Sequence, residues 1–512
     1  MLGGVEKTSA MKLTPTLRER LRWLLLGPRD FLLQLVCWRY ATFLRGFSLM
    51  SPGFLDRSGR LRARRAFFRA AKLVPAYARH LAQANATPAA IPETDKASYI
   101  KVHPTEARCC TGSLPLKRIM IDESSGSTGT PYNWVRSKRE RLESQRFISY
   151  FASYCYGTEP CITINAFSMG AWATGINMGQ AMEYNGVVKN TGPDLDKILS
   201  TLRFFGPQYP YLIVGYPPFL KHFIDVAEQG GFPFEQYRLN ALVGGEGMSE
   251  GLRDYLLKHF QKVYSGYGAT DLEIGIAGET PVAVAIRRLA WRDPRVRAAL
   301  FGADSRLPML FQYNPLMHHV EVNGNRELLF TITRGSVLSP RIRYNVHDEG
   351  GVARFDEVEA RLRDLGYALR DLVPEAKRLI RFPFLWVYGR RDSTISVMGA
   401  NIYPEDLEQC LYAEPALARI TRSFCLSVSE QAASVRPCFL FEVAAEPTEE
   451  LKQQFARAMV SRLEHLNADF REALHEYAET LQPEVRLYRV GEGPFAANAG
   501  RIKQARVLKA AA

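Results

Sequence analysis

The chain has 512 residues, 46% of them hydrophobic and 23% charged, a balance that excludes a disordered or fibrous chain and leaves room for two or more globular domains. Its eight cysteines are scattered, with no CxxC or Cys/His ligand spacing, so neither a disulfide framework nor a zinc site is expected and a reducing, cytoplasmic setting is. The net charge of +13 is concentrated at the start: residues 1–80 hold sixteen Lys and Arg against four acidic residues, twelve of the thirteen charges.

In chain order, the arginines near the N-terminus interleave with Trp23, Leu24, Leu25, Leu26, Phe31, Leu32, Leu33, Leu35, Val36, Trp38, Phe43 and Leu44, which predicts one or two amphipathic helices broken at Pro28. Such helices either pack their apolar face on the body of the protein or lie on an anionic membrane surface or a partner, so residues 1–60 are a candidate peripheral contact. Arg39 interrupts the longest apolar run, which argues against a spanning helix, and there is no small-residue cleavage site after it. No nucleic-acid-binding module accompanies the charge, so no nucleic acid is expected as partner.

Further on, short apolar runs at Ile162–Ile164, Tyr211–Val214, Ala241–Val243, Lys262–Tyr264 and Glu327–Ile332 read as buried strands. Helical stretches lie between several of them, at Pro218–Gln229 and at Ser249–Phe260 with Ser249 as N-cap. The alternation predicts an α/β fold: a large N-terminal domain of helix-covered, mostly parallel sheets. After about residue 392 the pattern becomes a small α+β domain, with helices at Asp406–Tyr412 and Thr448–Leu466 and strands at Phe424–Val428 and Cys438–Glu442. Residues 280–310 alternate Arg with apolar groups and give no assignment.

The stretch Glu123–Pro131 crowds Ser124, Ser125, Ser127 and Thr128 with Gly126 and Gly129 before a proline. Glycines let backbone approach a ligand, and hydroxyl and amide donors suit phosphate oxygens. It is not a Walker loop, because Thr130 and Pro131 stand where Lys-Ser would be. Downstream come Gly244-Gly245-Glu246, Gly266–Asp271, Arg343–Asp348, Gly389–Asp392, Gly399–Pro404 and Gly500–Lys503. In this order the segments resemble the adenylate-forming (ANL) superfamily. The run Leu73-Val-Pro-Ala-Tyr-Ala-Arg79 followed by Thr94–Ser98 looks most similar to its phenylacetate–CoA ligase-like branch.

The resemblance implies ATP and Mg²⁺ as cofactors and CoA as the leading acyl acceptor. It gives Ser124, Ser125, Gly126, Ser127, Thr128 and Gly129 the β/γ-phosphates, and Gly244, Gly245, Glu246, Tyr267 and Gly268 the adenine. Thr270 contacts the α-phosphate, and Asp271, where the family more often has Glu, holds Mg²⁺ as a hard oxygen ligand. Asp348 and Arg390 serve the ribose hydroxyls, and Asp392 matches the hinge about which the small domain rotates. His347 stands where the family usually has Gly and is given no role. The catalytic lysine falls on Lys503, with Arg501 as its rival directly after Gly500.

Phe167–Trp172 with Thr174 and Gly175 occupies the position at which the family lines its acid site, which implies a small-molecule carboxylic acid, aromatic or otherwise hydrophobic. The domains are expected at 1–64 (basic helical extension), 65–391 (adenylation domain) and 392–512 (mobile lid). The implied reaction activates the acid to an acyl-adenylate with release of pyrophosphate and then transfers the acyl group to CoA. Alternatives are an adenylating amide ligase or carrier-protein-loading enzyme of specialised metabolism, and a degenerate ligase fold serving as a docking protein.

Overall fold

The computed structural model describes residues 15–124, 132–171, 173–302, 304, 306–375, 378–390, 395–397, 400–431, 434–476, 482–498 and 506–508. It opens with four helices, α1 (Leu17–Leu24), α2 (Leu26–Val36), α3 (Tyr40–Leu49) and α4 (Pro52–Leu73). A capping box starts α1: the Thr16 hydroxyl accepts from the Glu19 amide at 3.2 Å while Glu19 accepts from the Thr16 amide at 2.7 Å. The predicted break at Pro28 is not where the chain bends. The interruption falls at Leu25, and Pro28 sits in the first turn of α2, where its missing N–H removes no intrahelical bond. Phe43 and Phe47 of α3 and Leu55 of α4 are buried against Phe147, Leu316, Ile380 and Phe382, so these helices pack on the body.

An antiparallel hairpin of β1 (Ile119–Glu123) and β2 (Asn133–Ser137) precedes the main sheet. The sheet then takes β3 (Cys161–Asn165), β4 (Gly186–Asn190), β5 (Pro210–Gly215), β6 (Arg238–Gly244), β7 (Val263–Ala269), β8 (Glu273–Gly278), β9 (Met309–Tyr313), β10 (His318–Val322), β11 (Glu327–Ile332), β12 (Tyr344–Ala353) and β13 (Phe384–Arg390). Their order is β10-β11-β12-β13-β9-β8-β7-β6-β5-β3-β4. The half from β4 to β7 is parallel and covered by crossover helices, as the alternating pattern predicts. From β7 to β10 every pairing is antiparallel. Residues 280–310 hold two helices, Pro281–Arg292 and Pro294–Phe301, each begun by a proline at its first position.

The smaller domain contains the β14–β15 hairpin (Ile395–Val397, Ala400–Ile402) and a second sheet of β16 (Thr421–Gln431), β17 (Ser434–Val443) and β18 (Glu484–Arg489). Helices Pro404–Tyr412 and Glu449–Leu466 cover it, and Phe424, Leu426, Phe439, Phe441, Phe455 and Met459 fill a core separate from that of the main sheet. Residues 506–508 run along β16, with the Leu426 amide donating to the Arg506 carbonyl at 2.7 Å and the Leu508 amide to the Leu426 carbonyl at 2.8 Å.

The two domains meet through buried polar groups. Lys221, on the helix Pro217–Gln229, donates to the carbonyls of Ala418 at 2.7 Å and Thr421 at 2.6 Å and pairs with Asp225 at 3.1 Å. Asp225 also accepts from Arg422 at 3.0 Å and from the Tyr255 hydroxyl at 2.6 Å. Nearby, the Ser249 amide donates to Glu408 at 2.9 Å, and burial pushes that carboxyl's pKa up. Elsewhere the Arg306 guanidinium lies 4.3 Å from the ring centres of both Tyr388, on the large domain, and Tyr403, on the small one. The same guanidinium pairs with Asp304 at 2.7 Å and Glu349 at 2.9 Å.

Candidate active site

Parallel strands end their hydrogen bonding where the next loop begins, so backbone at their carboxyl ends is free to face a ligand. In register, Gly244 of β6 lies opposite Gly266 of β7, and the chain leaves both strands through the glycine-containing segments singled out above. Gly245 has φ +85°, a conformation that favours glycine. A Cβ on Gly268 would come within 3.0 Å of the Glu273 carbonyl and the Gly275 amide, so the tight β7–β8 turn needs glycine there as well.

Tyr267 joins two of the predicted groups. Its ring stacks obliquely near Phe311 and Phe330, 5.7 and 6.0 Å between centres, and its hydroxyl donates to Asp348 Oδ2 at 2.6 Å. Asp348 in turn lies directly opposite Arg390 across the β12–β13 ladder. The Thr94–Ser98 segment enters the same neighbourhood: the Thr94 amide donates to the Arg343 carbonyl at 3.1 Å and the Asn345 amide to the Thr94 carbonyl at 2.8 Å. His347 adopts φ +62°, the left-handed region in which glycine is easiest, and its ring stands 3.4 Å from both Asp95 and Glu327.

The turn Thr270–Leu272 is held by residues that the sequence did not single out. Arg136, buried and paired with Asp122 at 2.8 Å, donates to the Thr270 carbonyl at 2.5 Å and to that of Leu272. Arg341 Nε donates to the Asp271 carbonyl at 2.9 Å, and the Tyr344 hydroxyl donates to Asp271 Oδ2 at 2.8 Å. Burial, reinforced by the Asp271 charge, raises the Tyr344 pKa far above its usual value, so this phenol stays a donor. The only sequence signal for Arg341 and Tyr344 was their place inside or beside the Arg343–Asp348 motif; Arg136 carried none.

Among the described residues no cluster of three or more His, Cys, Asp or Glu side chains could hold a metal by itself. The donor set at Asp271 is one carboxylate with a second oxygen free of the Tyr344 bond. That suits magnesium shared with a polyphosphate, which supplies the remaining oxygens together with water.

Beneath these loops lies an apolar cavity of about 110 Å³. Gly244, Gly245, Gly266, Tyr267, Gly268 and Thr270 form its rim, and Phe147, Ile148, Phe151, Phe167, Tyr216 and Leu242 are among the groups of its wall. Of the predicted acid-site stretch, Phe167 and Thr174 line it, while Gly175 packs so tightly that a Cβ would sit 2.2 Å from the Ser168 carbonyl. Burial pushes the Tyr216 hydroxyl up to about 12, so this group stays neutral.

Ser124 closes the base of the hydroxyl-rich loop: its amide donates to the Tyr132 carbonyl at 3.0 Å and its Oγ accepts from the Tyr132 amide at 3.1 Å. The Glu123 amide donates to the Ala171 carbonyl at 2.9 Å, which brings the loop's base beside the cavity that Glu123 also lines. Glu246 faces Arg506 at 3.8 Å, with the Arg506 guanidinium stacked 4.3 Å over Phe424. Ser125, Gly126, Ser127, Thr128, Gly129, Asp392, Arg501 and Lys503 lie outside the described residues, as does the side chain of Arg390.

No protein-family model matches the chain, and no curated protein matches it in sequence. Its architecture is nevertheless shared with solved structures of 2-hydroxyisobutyryl-CoA ligase. In the postadenylation state with 2-HIB-AMP the TM-score is 0.63 at 13% identity over 89% of each chain, and with R3-HIB-AMP it is 0.61 at 12% over 90% of each. The same ligase with 2-HIB-AMP and CoA in the thioesterification state gives 0.51 at 14% identity over 90% of each chain. The chain therefore shares the fold of these ligase structures, a large mixed-sheet domain followed by a small C-terminal α+β domain.

Proposed function

We propose that the protein is an AMP-forming carboxylate ligase: it activates a small carboxylic acid with ATP and Mg²⁺ to an acyl-adenylate, releases pyrophosphate, and passes the acyl group to CoA. The observation that carries this reading is the meeting, at the carboxyl ends of β6 and β7, of a glycine-rich rim bearing Tyr267 with an apolar cavity. Tyr267 offers a ring face for adenine while its hydroxyl orients Asp348, whose carboxylate suits a ribose diol. Thr270 belongs to that rim and lines the cavity, and it would contact the α-phosphate where this meets the acid. Asp271 would hold magnesium, which when bound offsets charge on the phosphates. Ser124, Ser125, Gly126, Ser127, Thr128 and Gly129 would cradle the β/γ-phosphates, and Arg390 and Asp392 would serve the ribose and the hinge.

Lys503 is the proposed catalytic cation. It precedes by three residues Arg506, which is anchored on β16 and faces Glu246 of the nucleotide rim. The higher TM-scores against the postadenylation structures support a small domain seated for the adenylation half-reaction. The cavity, at about 110 Å³, is somewhat smaller than the apolar cavity of about 150 Å³ that accommodates benzene. We accordingly propose a compact hydrophobic acid, aliphatic or with a single tightly held ring. The division at residues 64 and 391, the phenylacetate–CoA ligase-like branch and a cytoplasmic site of action remain part of this proposal, with the N-terminal helices as a peripheral contact surface. Among the described residues no helix is long and apolar enough to cross a membrane.

The test is pyrophosphate release from ATP and Mg²⁺ across a panel of short aliphatic, aromatic and amino acids, with and without CoA, for the wild type and Lys503→Ala. Acid-dependent release that the substitution abolishes is expected, with CoA stimulating turnover. Release that responds to an amine or to a carrier-protein thiol instead of CoA would select the amide-ligase or carrier-loading alternative. Silence across the panel while ATP still binds would overturn the enzymatic reading in favour of a docking role.

A further inference from the structure

The short helix α1 is amphipathic in an unusual sense: its inward groups are charged or aromatic and its outward ones are leucines. On its inner side Glu19 pairs with Arg64 of α4 at 2.9 Å, and Trp23 packs on Phe68 of α4 with ring centres 5.4 Å apart. These contacts fix the orientation of the helix on the body. Leu17, Leu21 and Leu24, with Leu25 directly after, follow the i, i+4, i+7, i+8 spacing of one helix face. All four point to solvent, at 74, 56, 72 and 66% exposure. Arg20 and Arg22, both exposed, flank this stripe on its two edges. In the same N-terminal layer Leu32 and Trp38 are also exposed.

Single exposed leucines are ordinary; four on one face of a helix that is anchored by its opposite face are a binding surface. We propose that this face seats the protein on an anionic lipid surface, with the leucines entering the headgroup–acyl boundary and the arginines meeting lipid phosphates. The charge pattern selects this occupant: an apolar stripe edged by arginine is the pattern of an interfacial helix, and twelve of the thirteen net charges lie in the first 80 residues. A second copy of the chain would instead bring two sets of arginines together. The inference does not depend on the reaction catalysed.

The test is co-flotation of the full chain with vesicles of phosphatidylcholine alone or mixed with phosphatidylglycerol. Strong flotation with the anionic vesicles, and little with the neutral ones, is expected. Leu21→Glu with Leu24→Glu should lower anionic-vesicle binding by more than about tenfold, since it removes two apolar side chains from the headgroup–acyl boundary and adds two negative charges. Circular dichroism should show the helices intact, because both side chains are mostly exposed. Arg20→Gln with Arg22→Gln, which leaves every leucine in place, should reduce the preference for anionic over neutral vesicles. The proposal is overturned if the full chain does not float with anionic vesicles, or if the leucine substitutions leave flotation unchanged. It is also overturned if those substitutions convert a dimer to a monomer in light scattering while no flotation is seen, which would make the stripe a self-interface.

Discussion

Lys221→Met tests whether the small domain is held in place by a few buried polar groups. The substitution keeps most of the side-chain volume but removes both hydrogen bonds to the small domain, at 2.7 and 2.6 Å, and the ion pair with Asp225 at 3.1 Å. The lysine and the aspartate are nearly wholly buried, with side-chain exposures of 5% and 1%, so water does not replace what is lost. Breaking one side of a buried pair costs about 3–5 kcal/mol; because Asp225 retains Arg422 and Tyr255, the lower end applies, about 3 kcal/mol. That shifts the seated–unseated equilibrium by roughly 100-fold. Hydrogen exchange followed by mass spectrometry reads it directly: amides of residues 415–424 should exchange about 100-fold faster, while those of β5 and β6, in the core of the large domain, should not change. If exchange in 415–424 is the same in the variant, the latch does not hold the domain and the argument from burial fails.

Tyr267→Phe removes the hydroxyl that orients Asp348 but keeps the ring, so KM for ATP should rise about five- to twentyfold with kcat little changed, measured by acid-dependent pyrophosphate exchange. Gly266→Ala adds a methyl whose nearest fixed neighbour is the Val243 carbonyl at 3.9 Å, so the fold should be undisturbed while the larger acids of a substrate panel lose activity first. Asp406 gives a pH signature. Burial raises its pKa from 3.8 to about 6 against the opposing hydrogen bond from Asn467, so its protonated form favours the folded state. That contribution is full below about pH 4 and is lost as pH rises through 6; the stability advantage of the wild type over Asp406→Asn, from urea unfolding, should shrink by roughly 2 kcal/mol between pH 4 and 7.

The parallel half of the sheet was legible because buried strands declare themselves: Tyr211–Val214 and Ala241–Val243 are unbroken apolar runs closed by glycine. The antiparallel half was not, since runs such as Glu327–Ile332 look the same whichever way their neighbours run. Residues 280–310 resisted reading because Arg287 is buried with Glu250 in a network that includes Arg253 and Glu279, so arginine there marks interior rather than surface. The latch was hidden for a related reason. Lys221 and Asp225, four apart on a helix, have the spacing of an ordinary solvent-exposed pair, and only the arrival of a second domain buries them. Motif order singled out the glycine and tyrosine positions at the ends of β6 and β7; Arg136 carried no such signal, because the carbonyls it holds, those of Thr270 and Leu272, lie more than 130 residues away.

Two of the attachments between the domains differ in kind, and the difference bears on wear and ease of motion. The Lys221 latch is brittle: opening breaks two buried hydrogen bonds and parts Arg422 from Asp225, while Lys221 and Asp225 stay paired on their own helix. The Arg306 stack is closer to a lubricated bearing. A swing of the small domain would withdraw Tyr403 from one face of the guanidinium, yet Asp304, Glu349 and the Tyr388 ring would all stay with it on the large domain. The cation would therefore never be left uncompensated, and release would forfeit only a stacking contact of about 1 kcal/mol. Since Glu349 follows Asp348 directly in the chain, the bearing is seated on the same strand as the proposed ribose carboxylate, and a swing of the small domain would leave that strand in place.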